Sequence, residues 1–168
     1  MASGTVSIKV SDEVWIATAL LHHEDPEETA FTVGEIVARV MKENIHGTLR
    51  PGVRVHVVLH CVANVPPNPA RYRMLVATVR ARGRFARRLF RKGDPYDPAR
   101  EGGKIVPKRE EIPTRYHYLL DWYSSEYAIR SQSTDSRGSI LGLRGLGKEI
   151  WADEDPDSYV RRVREGWE

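Results

Sequence analysis

RPGVRVHVVLHCVANVPPNPARYRMLVATVRARGRFARRLFRK, residues 50–92, holds two apolar segments with different periods. In the first, Val53, Val55 and Val57 alternate as in a strand, yet Val55, Val58, Leu59 and Val62 also fit a helical stripe. Length separates the two readings: about twelve residues without a break, with Pro51 near a first helical turn, favour a helix. Pro66, Pro67 and Pro69 then stop it. In the second segment, residues 72–79 alternate as a strand does, Gly83 supplies a turn, and residues 85–91 return as a second strand.

Working outward, Ser11 is placed to cap a helix over 12–23, with Asp12 and Glu13 at its positive end and Val14, Ala17, Leu20 and Leu21 on its apolar face. Thr32 and Glu35 form a capping box, with Phe31 as a hydrophobic staple. They open a helix over 33–43 that carries Ile36, Val37 and Val40 on one side and closes at Asn44 and Gly47. Residues 93–113, rich in Gly and Pro, read as irregular loop. Tyr116, Leu119, Leu120, Trp122, Tyr123 and Tyr127 predict a fourth, aromatic helix over 114–129. The Ser-rich residues 130–139 read as a linker. The expectation is an α+β fold over 1–129. Three helices followed by a basic β-hairpin is the order of a winged helix-turn-helix, here with one added helix and an extended or helical tail over 140–168.

At 168 residues and 40% apolar content the chain can bury one ordinary core, and its formal charge is +3. That net figure hides a segregation. Residues 44–93 contain no Asp or Glu, but do contain Arg50, Arg54, Arg71, Arg73, Arg80, Arg82, Arg84, Arg87, Arg88, Arg91 and Lys92. These are 11 of the 26 basic residues, so 15 remain elsewhere against 23 acidic ones. Such a distribution predicts a positive face whose partner is a polyanion. All eleven are candidate DNA contacts. Arg50 and Arg54 would lie at the start of a recognition helix and the others on or beside a wing.

The last thirty residues contain LRGLGKEIW at 143–151, an acidic patch (Asp153, Glu154, Asp155, Asp157) and YVRRVREGW at 159–167. Their apolar content is too low for independent folding and too regular for an inert tail, a pattern suited to ordering on a partner. This segment resembles the C-terminus of VapB-type antitoxins of type II toxin–antitoxin systems, in which such a tail wraps a PIN-domain ribonuclease toxin. The resemblance implies toxin contacts from Leu143, Arg144, Leu146, Lys148, Ile150 and Trp151, and from the helix face Tyr159, Val160, Val163 and Trp167. Arg144 or Lys148 would enter the carboxylate cluster where such a ribonuclease holds Mg²⁺. Family members of this kind carry a small β-type or ribbon-helix-helix DNA-binding domain, so the larger domain here is a departure. Residues 60–64, 71–73 and 93–95 also resemble a bacterial winged-helix family of uncharacterised function.

The remaining chemistry is sparse. His56 and His60 stand at i, i+4, half of a zinc site without its other ligands. The glycines around Lys148 lack the spacing of a phosphate loop. No nucleophile–base pair can be picked out, so no catalysis and no cofactor are expected. Cys61 sits alone in an apolar run and reads as a buried, reduced thiol. No stretch is apolar enough for a membrane span, and no secretory signal is visible, which predicts a cytoplasmic protein. The reading is an antitoxin that binds double-stranded DNA, its operator, as a homo-oligomer or as a hetero-oligomer with its toxin. The alternatives are a free-standing winged-helix regulator whose tail dimerises or docks, and a small metal-dependent nuclease using the two histidines.

Overall fold

A computed structural model describes residues 7–67 and 69–130. The chain divides into two units, Met1–Ile129 and Arg130–Glu168, and all but one of the described residues belong to the first. Helix α1 (Val10–Glu24) is its axis. Every residue from Ser11 to Leu20 is buried, polar and apolar alike, because other elements enclose the helix on all sides. Ser11 therefore does not cap it; the helix starts one residue earlier and Lys9 takes the N-cap position without a side-chain bond. Burial of Asp12 and Glu13 requires paired cations. Lys104 Nζ donates to Asp12 Oδ1 at 2.7 Å, and Arg50 Nη2 to Glu13 Oε2 at 2.6 Å.

Strand β1 (Phe31–Thr32) leads directly into helix α2 (Val33–Glu43). The capping box forms as expected: Glu35 N–H donates to Thr32 Oγ1, and Thr32 N–H donates to Glu35 Oε2. Asn44 ends the helix in the left-handed conformation. The ambiguous segment is helical. Helix α3 (Gly52–Val55) runs on into a single π-helical turn (His56–His60), closed by Cys61 N–H donating to His56 O. Val53, Val57 and Cys61 point to the core at i, i+4, i+8, while Val55 and Val58 face outward. Burial pushes the Cys61 thiol pKa up, keeping it protonated.

Strands β2 (Leu75–Arg80) and β3 (Arg84–Leu89) pair antiparallel from Leu75↔Leu89 to Arg80↔Arg84. Strand β1 joins the other side of β3, giving an antiparallel sheet in the order β1-β3-β2. A strand of two residues carries no period, which is why β1 escapes sequence reading. Helix α4 (His117–Trp122), preceded by a 3₁₀ turn and followed by a π-helical turn (Tyr123–Tyr127), lays Tyr116, Leu119, Tyr123 and Tyr127 against the core. The described unit is thus α+β: four helices and a small antiparallel sheet.

One buried cation gathers the connections. Arg100 is 0% exposed. Its guanidinium donates to the carbonyls of Leu59 (2.8 Å), His60 (2.7 Å), Val65 (2.8 Å) and Tyr72 (2.7 Å), and at longer range to Pro66 and Ala70. It satisfies the carbonyl end of the π-helical turn, where a cation also meets the negative end of the helix dipole. It also closes the proline-rich loop that leads into β2. Nearby, a Cβ on Gly103 would lie 1.7 Å from the Arg71 carbonyl oxygen, so only glycine fits.

Replacing Arg100 with Met should leave these carbonyls buried without donors and cost about 3 kcal/mol or more, read from urea unfolding. Arg100→Lys should recover little, since an ammonium has three protons and no planar fork. A second expectation concerns acid. Lys104, the Lys108 backbone N–H and Lys9 hold the Glu111 carboxyl down from 4.5 to about 2. A lowered folded pKa contributes stability above the unfolded value that is lost as pH falls towards 2. Burial raises Asp12 and gives the opposite slope. Glu111→Gln should therefore flatten the loss of stability between pH 4.5 and about 2; an unchanged acid limb would show that Glu111 plays no part in it.

Candidate nucleic-acid interface

The eleven cations of residues 44–93 separate into groups once the chain is folded. Arg50 is committed to Glu13 and to the Ile8 carbonyl, at 2.6 and 2.9 Å. Arg80 pairs with Glu28 and Glu35 at 2.6 and 2.9 Å. Arg88 makes a two-pronged pair with Asp94, at 2.7 and 2.8 Å. Arg87 is buried on the inner face of β3, where its guanidinium donates to the carbonyls of Val57, Val58 and Ala86. A guanidinium already desolvated and bonded has few donors to offer a phosphate. These four, candidate DNA contacts by sequence, are engaged within the fold. For Arg50, Arg80 and Arg88 the cause is that Glu13, Glu28, Glu35 and Asp94 lie outside the acid-free window in sequence and return to it in space; Arg87 instead spends its donors on backbone carbonyls.

Two more cations lie over aromatic rings. Arg73 sits 4.3 Å from the Tyr96 ring centre and Arg91 sits 4.4 Å from that of Tyr127. Both are half-buried. Arg54, Arg71, Arg82, Arg84 and Lys92 are exposed, and none has an ion pair among the described residues.

Arg54 is on α3, and Arg82 and Arg84 are at the tip of the β2–β3 hairpin. Arg87 ties the two elements together, because its Nε and Nη2 reach from β3 to the carbonyls of Val57 and Val58 at 3.1 and 3.3 Å. At the tip, Arg82 and Gly83 both have positive φ, 65° and 71°. For glycine this is ordinary, but for arginine it is uncommon. Beside them, Phe85 is 77% and Val79 61% exposed, and the two are directly opposite in register.

Sequence reading missed this apolar pair. Phe85 shares a strand face with Arg87 and Leu89, so alternation alone sends it inward. Burial shows instead that the core ends at Arg87 and that the Val79–Phe85 pair, next to the end of the ladder, overhangs it. A usable signal was the position of Phe85, two residues from the turn glycine.

The His56 and His60 rings pack against each other at 4.7 Å, and His56 Nδ1 lies 2.8 Å from the Gly52 carbonyl. Burial holds His56 below the ordinary histidine pKa. Among the described residues, no three His, Cys, Asp or Glu side chains converge as metal ligands would, and no helix is long and apolar enough to cross a membrane. The toxin-contact residues expected from sequence (Leu143, Arg144, Leu146, Lys148, Ile150, Trp151, Tyr159, Val160, Val163 and Trp167) lie outside the described residues. Comparison of the chain with protein-family models, curated proteins and solved structures finds no match.

The division of the arginines is measurable. Arg87→Met should lower stability by about 2 kcal/mol, because it strips donors from buried carbonyls. Arg82→Ala with Arg84→Ala should stay within about 0.5 kcal/mol of the parent. Thermal melts that rank them the other way would refute the assignment.

Proposed function

We propose that residues 1–129 form a winged-helix module that binds double-stranded DNA, and that residues 140–168 neutralise a PIN-domain ribonuclease, making the protein a type II antitoxin. The observation carrying the DNA half is the exposure of Arg54 on α3 and of Arg82 and Arg84 at the hairpin tip. They are exposed guanidinium groups without carboxylate partners among the described residues, on two elements bridged by Arg87. The order α1-β1-α2-α3-β2-β3 and the strand order β1-β3-β2 favour the winged-helix reading. In it, α3 is the recognition helix and the hairpin is the wing. Arg54 then reads or flanks base edges, while Arg82 and Arg84 reach the phosphates or the minor groove. Arg50 does not take part, since it holds Glu13 in the core.

The antitoxin half rests on the resemblance of LRGLGKEIW and YVRRVREGW to the VapB-type tail. Its physics is that of a segment ordered by its partner: apolar anchors such as Trp151 offset the entropy of ordering, and one cation replaces a metal's charge. Arg144 suits that role better than Lys148, because a guanidinium bridges two carboxylates.

Full-length protein should retard duplex DNA with an affinity that falls steeply as salt rises. Arg54→Ala, Arg82→Ala and Arg84→Ala together should weaken binding and flatten the salt slope by about one unit per phosphate contact removed. Absence of retardation at about 50 mM salt would refute the DNA reading. Separately, truncation after Gly138 should abolish binding of the neighbouring toxin and leave DNA binding measurable. Trp151→Ala should cost on the order of 2 kcal/mol in toxin affinity. Cells that survive co-expression of toxin with the truncated chain as well as with full-length protein would end the antitoxin reading.

A further inference from the structure

Arginines alone do not account for the hairpin tip. Phe85 is the most exposed large apolar side chain among the described residues, and Val79 stands opposite it on the same strand face. An aromatic ring in water at the end of a two-stranded ribbon contributes nothing to the core, and burying it is favourable. Its neighbours limit what can bury it. Arg84 adjoins it in the chain, and Arg82 lies in the turn, both exposed and without ion pairs among the described residues. Arg80, the next cation along β2, is already neutralised by Glu28 and Glu35. An apolar protein surface pressed on this tip would have to strip water from two guanidinium groups without supplying counter-charges. A nucleic-acid duplex supplies both needs, with phosphates for the cations and a stacked apolar interior for the ring.

We propose that Phe85 is a wedge that enters a base step of duplex DNA from the minor groove, with Val79 backing it and Arg82 and Arg84 holding the flanking phosphates. This inference rests on the DNA-binding reading above and adds to it a deformation of the DNA. The ribbon is suited to that task. Its tip is narrow, because a turn of three residues, Ala81–Gly83, closes it. The left-handed backbone of Arg82 is an uncommon state for arginine. The base of the wing is held rigid by Arg87, two residues from Phe85 on the same face, bonded to the carbonyl end of the α3 segment. A wedge needs such support, since prying apart a base step costs several kcal/mol that only a fixed side chain can transmit. Flexible pyrimidine–purine steps are the cheapest to open, so the wedge favours TA and CA/TG sites at positions read by no hydrogen bond.

The experiment uses full-length protein and a duplex of about twenty base pairs containing TA and CA steps, end-labelled for energy transfer, with a parallel duplex carrying 2-aminopurine at the TA step. Binding by the parent should raise both energy transfer, reporting a bend, and 2-aminopurine fluorescence, reporting unstacking. Phe85→Ala should lose both signals and bind about tenfold more weakly, with the salt slope unchanged because no cation is removed. Phe85→Leu should retain most of the bend, since an apolar wedge remains. Both variants should melt with the parent, given the exposure of the ring. Binding by the parent without bend or unstacking, or signals that survive in Phe85→Ala, overturns the wedge and leaves the DNA reading standing. No retardation of any duplex by the parent overturns both.

Discussion

Carbonyl oxygens from the π-helical turn after α3, the proline-rich loop and the approach to β2 converge on the guanidinium of Arg100, and the placement of the hairpin depends on that convergence. No carboxylate is among these partners. The cation is instead solvated by backbone dipoles, with each N–H spent on a group that would otherwise be buried without a donor. This arrangement trades a costly desolvation for the closure of a loop that proline keeps from forming regular ladders. Gly103 completes it by letting the chain after Arg100 pass against the Arg71 carbonyl where no side chain could. Because Arg71 and Tyr72 lead straight into β2, the hairpin inherits its position from this loop.

The buried acids of α1 follow the same logic with the opposite sign. Asp12 and Glu13 sit in the first turn, where the helix dipole favours them, but the enclosure of α1 removes their water. Lys104 and Arg50 restore the balance, each arriving from distant sequence. Lys104 also holds Glu111, which in turn meets Lys9, so one small network joins the helix start to the 3₁₀ turn Arg109–Glu111. The basic character of the chain is therefore partly internal. Several arginines that make it look like a polyanion binder in sequence are the fold's own counter-ions.

The remaining surface charge is a narrower and more useful feature. Arg54, Arg82 and Arg84 are exposed without ion pairs among the described residues, while Arg50, Arg80 and Arg88 are paired with carboxylates and Arg87 is buried. The buried Arg87 joins β3 to the π-helical turn that follows α3. Buried or paired arginines and exposed ones thus stand within a few positions of one another. The proposed wedge at Phe85 belongs to the same pattern, an apolar residue placed outside the core by a strand that extends past it.

The helices were legible in the sequence because their information is local. The capping box of Thr32 and Glu35 and the helix end at Asn44 are set by neighbours within two turns, whereas the face of the α3 segment was not: the stripe expected from sequence included Val55 and Val58, which are exposed, and the buried face is Val53, Val57 and Cys61. The hairpin was legible for the same reason, with Gly83 at its turn and alternation on both sides. Those patterns determined the α+β class and the order of elements. Tertiary structure alone decided that α1 is enclosed on every side, that two residues at Phe31–Thr32 extend the sheet, and which arginines face water. Each of these depends on groups far apart in the chain: Glu13 with Arg50, Glu28 with Arg80, Arg100 with six carbonyls. A charge in a sequence has a sign and a position, but whether it solvates the interior or meets a ligand depends on what the fold brings within about 3 Å of it.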